Sequence, residues 1–135
     1  MVHNGPMRLV LASASPARRA TLIAAGITPL VRVSTVDEDA VLAALPGGRA
    51  FSGTATTPAD EVSALAAAKC LDVCEALARN SLDLPDGEPV LVVGCDSMLE
   101  IGGQMLGKPH TPEVARDRIA AMRRSTATLW TAHCA

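Results

Sequence analysis

Short apolar runs alternate along this chain with longer stretches of helical period. Arg8–Ala12 (RLVLA) is a run of the length and composition of a buried strand, and it ends at serines. Ser15 then stands at an N-cap and Pro16 at the first helical position, so ARRATLIAA is predicted to be a helix that stops at Gly26. Thr28–Thr35 (TPLVRVST) reads as a second strand, with Val31, Val33 and Thr35 on one face. Val36–Leu45 starts acidic and is a helical turn or short helix, closed by Pro46–Gly48. A weakly patterned loop, Arg49–Thr56, leads to the clearest element of the chain. There Thr57 caps, Pro58 begins, Asp60 approximates the acidic capping-box position, and the helix continues to about Asn80. Val62, Leu65, Ala66, Lys69, Val73 and Leu77 fall near one stripe of it.

After a turn-rich connection, Ser81–Pro89, the run Val90–Asp96 (VLVVGCD) has the continuous apolarity of a buried strand. Gly102-Gly103 separates two short apolar segments and predicts a hairpin. Thr111-Pro112-Glu113 opens another helix to about Arg124, and TATLWTAHC resumes as strand. The order β-α-β-α-β-β-α-β predicts an α/β fold with a mixed twisted sheet flanked by helices, because a hairpin sits inside a βαβ pattern. Residues 1–135 are expected to be a single domain, or part of one, with residues 1–6 expected as a disordered N-terminal extension.

Composition sharpens this picture. The chain is 49% hydrophobic yet has one Phe, one Trp and no Tyr, so Ala, Val, Leu, Ile and Met must make the core. Aromatic residues usually dominate core energetics, and at roughly 25 cal/mol per Å² of buried apolar surface an alanine-rich core leaves a thin margin. A net charge of −2 argues against a general grip on nucleic acid, so any anion site must be local. No apolar run reaches the roughly 18 residues of a membrane span, and no signal peptide precedes Met7. A soluble, cytoplasmic protein is expected, with neither nucleic acid nor membrane as partner. Cys70, Cys74, Cys95 and Cys134 lack C-x-x-C spacing and read as buried reduced thiols.

Four features could carry chemistry. Ser13, Ser15, Arg18 and Arg19 surround a strand-to-helix turn, where unpaired amides, hydroxyls and guanidinium forks suit a phosphate; a plain helix cap with solvated arginines is the alternative. Positive charge this close to a helix N-terminus is mildly unfavourable, which favours function. Asp37, Glu38 and Asp39 could bind a divalent cation or simply open a helix as dipole-matching residues. Lys69 needs an anionic partner if buried and snorkels to water if not. Asp96 closes a buried strand at the sheet edge where α/β proteins bind ligands, and Lys108 lies beyond a hairpin that folds back toward it. The chain has no other lysine than Lys69 and Lys108. No Ser–His–Asp logic and no Walker phosphate loop is present. The residues alone suggest an anion pocket opposed by a carboxylate.

These segments, in this order, resemble the Maf family (septum-formation inhibitor proteins), nucleoside triphosphate pyrophosphatases with an ITPase-like α/β fold. The family's S-x-S-P-R-R turn is matched by LASASPARRATL, its D-E pair by Asp37-Glu38, its A-x-x-K-A helix by ALAAAKC, and its A-D-T and L-G-K-P segments by GCDSMLEIGGQMLGKP. The resemblance implies that Ser13, Ser15 and Arg18 hold the triphosphate, with Arg19 beside them. It further implies that Glu38 and Asp96 bind the divalent metal (Mg²⁺ or Mn²⁺) or orient water, Asp96 being the base, and that Lys69 and Lys108 neutralise phosphate oxygens. The implied reaction is hydrolysis of a nucleoside triphosphate to monophosphate and pyrophosphate. Family analogy alone points to a homodimer.

The chain departs from the pattern in several places. Ala17 replaces the first motif arginine, Cys95-Asp96-Ser97 replaces A-D-T, and Ala132 and Cys134 stand where glycines are expected. The family's Y-G-I-Q-G-like segment does not occur within the chain, so a C-terminally shortened Maf-like domain is expected. The alternative reading is a catalytically impaired remnant that binds nucleotide or a protein partner without turnover.

Overall fold

The computed structural model describes residues 6–53, 55–79 and 88–135. In chain order the elements are β1 (Arg8–Ala12), α1 (Pro16–Ala24), β2 (Leu30–Val31), α2 (Glu38–Ala43), α3 (Pro58–Arg79), β3 (Val90–Ile101), β4 (Gln104–Leu106), α4 (Pro112–Met122) and β5 (Thr128–Cys134). The expected mixed α/β sheet is observed: five strands, with β1 parallel to β2 and β3, and β4 and β5 antiparallel to β3. Residues 1–5, and most of the turn-rich connection, lie outside the described residues.

Local chemistry explains the helix starts. Ser15 accepts from the Arg18 amide with Pro16 behind it, and Thr111 accepts from the Val114 amide at 3.2 Å. At α3 the box closes both ways: Asp60 N–H donates to Thr57 Oγ1, and Thr57 N–H donates to Asp60 Oδ2 at 2.8 Å. Gly102 and Gly103 both take positive φ (58° and 72°), as a two-residue hairpin between β3 and β4 requires.

Three expectations are corrected. The second strand shrinks from Thr28–Thr35 to Leu30–Val31, because Asp72 of α3 draws off the Ser34 hydroxyl and the Thr35 amide, each at 3.0 Å, and ends the ladder. The strand expected to close at Asp96 runs on to Ile101, since β5 pairs it from Gly94 to Glu100. Of the four thiols expected to be buried, Cys70 and Cys95 are, whereas Cys74 is exposed and Cys134 half-buried; all four are free. Burial and its neighbour Cys134 push the Cys70 thiol up to about 11.

α3 makes the core. Cys70 and Val73 pack on Val10, Ala12 and Val92, while Val62 and Leu65 pack with Leu42 of α2 and Met98 of β3. Period two along β3 sends Val92, Gly94, Asp96 and Met98 to the α3 face. Gly94 is where the helix comes closest: a Cβ there would clash with the Ala66 carbonyl oxygen and lie 2.7 Å from the Cys70 nitrogen. Lys69 sits between those two positions, so this close approach delivers its side chain to Asp96, two residues along the same face.

Candidate active site

A cleft of about 800 Å³ opens at the C-terminal end of β1, across β3 and up to α2 and α4. That volume is in the range of small-molecule sites. Of the sequence-predicted residues, Ser13, Arg18, Glu38, Asp39, Lys69, Asp96 and Lys108 line it.

The turn after β1 is assembled around the Ser13 hydroxyl, which accepts from the Ser15 amide at 3.2 Å and from an Arg18 guanidinium nitrogen at 2.9 Å. Arg18 also donates to the Cys95 carbonyl at 3.4 Å and to Ser97 Oγ at 3.1 Å, and Ser97 Oγ meets Thr131 Oγ1 at 2.9 Å. All three acceptors of the guanidinium are neutral, so it is held in place while its charge stays available to an anion. Ser15 spends its hydroxyl on the α1 cap and does not line the cleft. Arg19 is exposed and outside it, one helical position round from Arg18.

Facing this turn, the Lys69 ammonium bridges two carboxylates, 2.7 Å from Glu38 Oε1 and 2.9 Å from Asp96 Oδ1. The question of whether Lys69 snorkels is thereby settled: its side chain is 15% exposed and paired. Burial pulls its pKa down, but hydrogen bonds and charge from Glu38 and Asp96 outweigh that and hold it above the ordinary lysine value. Asp96 is raised from the ordinary carboxylate value, chiefly by burial and against the pull of Lys69. Its second oxygen, Oδ2, is buried with no hydrogen-bond partner among the described residues. A buried acceptor left in that condition is costly, and such groups mark places where a ligand completes the set.

The two carboxylates also fit a divalent cation. The ammonium stands in for it, showing that one cation reaches Glu38 and Asp96 together. Among the described residues no third His, Cys, Asp or Glu joins them. Two carboxylates completed by phosphate and water oxygens is how Mg²⁺ is commonly held.

Three basic residues in the cleft were not singled out by sequence reasoning: Arg49, His110 and Arg118. Arg49 Nε pairs at 2.8 Å with Glu61, a carboxylate that is 0% exposed. Arg118 reaches from α4 to the Gly107 carbonyl and so ties down the segment bearing Lys108. Neither carries a motif; each is recruited by folding. The lining then holds five cationic side chains (Arg18, Arg49, Lys69, Lys108, Arg118) against three carboxylates (Glu38, Asp39, Asp96). A chain of net charge −2 thus turns a locally positive face to its cleft.

A mixed sheet whose first strand-to-helix turn carries Ser13 and Arg18, opposed by carboxylates from α2 and β3, places the chain in the class of α/β proteins with a cleft at the strand ends. Within it the chain belongs to the Maf family: the family described as Maf-like protein matches residues 8–135. It is 54% identical over 127 residues to a nucleoside triphosphate pyrophosphatase of Nocardia farcinica, covering 93% of this chain and 53% of that one. It is 50% identical to the protein of the same name from Rhodococcus erythropolis (94% and 54% covered), and 46% identical to that from Streptomyces coelicolor (94% and 52%). The chain spans about half the length of the curated relatives it matches. No helix among the described residues is long and apolar enough to cross a membrane.

Proposed function

We propose that the cleft binds a nucleoside triphosphate with Mg²⁺ or Mn²⁺ and hydrolyses it to the monophosphate and pyrophosphate. The observation carrying this reading is the convergence of Arg18, Lys69, Glu38 and Asp96, with one buried Asp96 oxygen left without a partner among the described residues. The relatives' shared name supports the substrate class.

In this reading Ser13, Arg18 and the amides opening α1 hold phosphate oxygens, with Lys108 closing from the hairpin side. Ser15 acts through the cap it makes. Arg19, exposed, contributes charge from outside the cleft. Asp96 Oδ2 orients the attacking water and takes its proton as the oxygen joins the α-phosphorus. The bond to the β-phosphoryl oxygen breaks, and pyrophosphate leaves against Lys69, Lys108 and Arg18, which match the charge building on it. Held by Glu38 and Asp96, the divalent cation supplies charge neutralisation at the phosphates. The Leu42, Met98, Met105 and Leu129 side of the cleft offers an apolar wall to the base.

The test is pyrophosphate release from a panel of nucleoside triphosphates with Mg²⁺ or Mn²⁺, beside Asp96→Asn. We expect turnover that falls about 10²- to 10⁴-fold in the variant, the usual weight of a general base. Binding without turnover in the unsubstituted chain would favour the non-catalytic remnant instead.

A further inference from the structure

The Lys69 ammonium occupies the point where Glu38 and Asp96 converge. These are the oxygens to which the preceding reading assigns the divalent cation, and the present inference rests on that reading. An ammonium and a divalent ion cannot share this point, because like charges at such range repel strongly in a site screened from water. We propose that Lys69 is a built-in counter-ion that excludes the divalent cation until a triphosphate arrives, so that metal enters with the nucleotide and not before it.

The two arms of the bridge differ in a way that makes exchange workable. Asp96 lies in the middle of β3 with its side chain 7% exposed, a fixed partner. Glu38 is 54% exposed and opens a six-residue helix, a partner that can let go. Lys69 itself is anchored on α3, whose position Gly94 fixes, so its ammonium moves only by the swing of its own stem. Leaving both carboxylates without a new anion would strand a largely buried charge, which is costly. A triphosphate held at Ser13 and Arg18 supplies that anion on the facing wall of the cleft. Once the ammonium moves to phosphate, two carboxylates of net charge −2 face a divalent cation that also gains phosphate ligands. Metal and nucleotide then bind with positive, reciprocal coupling.

The experiment is titration of free Mn²⁺ by its electron paramagnetic resonance signal. It is run on the unsubstituted chain, Lys69→Gln and Lys69→Arg, with and without an α,β-methylene nucleoside triphosphate, after subtracting the Mn²⁺ held by the analogue itself. Emission from Trp130 under urea verifies that each variant folds. Without the analogue we expect Lys69→Gln to bind Mn²⁺ about tenfold or more tightly than the unsubstituted chain, a typical size for coupling between sites. Lys69→Arg, which keeps a cation on the carboxylates, stays weak. The analogue tightens Mn²⁺ binding by the unsubstituted chain and much less by Lys69→Gln. Equal Mn²⁺ affinity of the unsubstituted chain and Lys69→Gln without analogue would overturn the counter-ion role and leave the metal-dependent reading standing. Absence of Mn²⁺ uptake by both, with and without analogue, would overturn the two together.

Discussion

α3 and α4 begin alike and end in different circumstances. Each is capped by a threonine followed by proline, and each carries acid in its first turn. Yet α3 buries Glu61, Val62, Leu65, Ala66, Cys70 and Val73, whereas α4 buries nothing and leaves Val114 38% and Ile119 62% exposed. Caps mark where a helix starts; what the sheet offers opposite decides whether it is buried. α3 faces Gly94, a strand position with no side chain, and can sink onto the sheet. α4 is tied down at the site instead, through Arg118 on the Gly107 carbonyl. α3 builds the core and reaches the cleft through Lys69, whereas α4 serves the cleft alone.

The sharpest way to break this contrast is to truncate each helix in turn. Leu65→Ala, at a position 1% exposed, is expected to cost about 2–5 kcal/mol in urea unfolding followed by Trp130 fluorescence. Ile119→Ala is expected to stay within about 0.5 kcal/mol. Equal losses would mean that α4 is packed in solution as α3 is. Next in size, Gly94→Ala forces a methyl against the Ala66 carbonyl and Cys70 amide, at an expected cost of about 1–3 kcal/mol. It should also push Lys69 away from Asp96 and so lower affinity for pyrophosphate, measured by calorimetry.

The smallest effect lies at Asp72, which ties the segment after β2 to α3. The Thr35 amide and Ser34 hydroxyl hold its carboxyl below the ordinary value of 3.8. A depressed carboxyl contributes stability that is present above its unfolded pKa and lost as pH falls through the folded one. Asp72→Asn should therefore destabilise at neutral pH by under about 1 kcal/mol, given how exposed the site is. That deficit should vanish in urea melts well below pH 3.8. A deficit that persists in acid would assign the effect to shape and not to charge.

Much of this was legible in residue order. Thr57, Pro58 and Asp60 announced α3, Gly102-Gly103 announced the hairpin, and Ser15-Pro16 announced α1, because caps and turns are local events. Ser13, Arg18, Glu38, Lys69, Asp96 and Lys108, picked from scattered segments, do line one cleft. What stayed hidden depended on partners distant in sequence. The early end of β2 needs Asp72 from another element, and the length of β3 needs β5. The solvent-facing Cys74 and the recruitment of Arg49 by Glu61 depend on how α3 is rotated against the sheet. Ser15 and Arg19 were grouped with Arg18 by motif, while one became a cap and the other faces outward.

β3 pairs with β1 over Val90–Gly94 and with β5 over Gly94–Glu100, so the strand carrying Asp96 is also the one that joins the two parts of the sheet. The β1 ladder stops at Gly94, so at Asp96 the strand is paired by Ala132 of β5, and release of β5 would loosen the site while β1 and β3 stay paired. In amide exchange, a ligand seated on Asp96 is therefore expected to slow the amides of β5 more than those of β1, so that one side of the sheet reports occupancy of a single carboxylate.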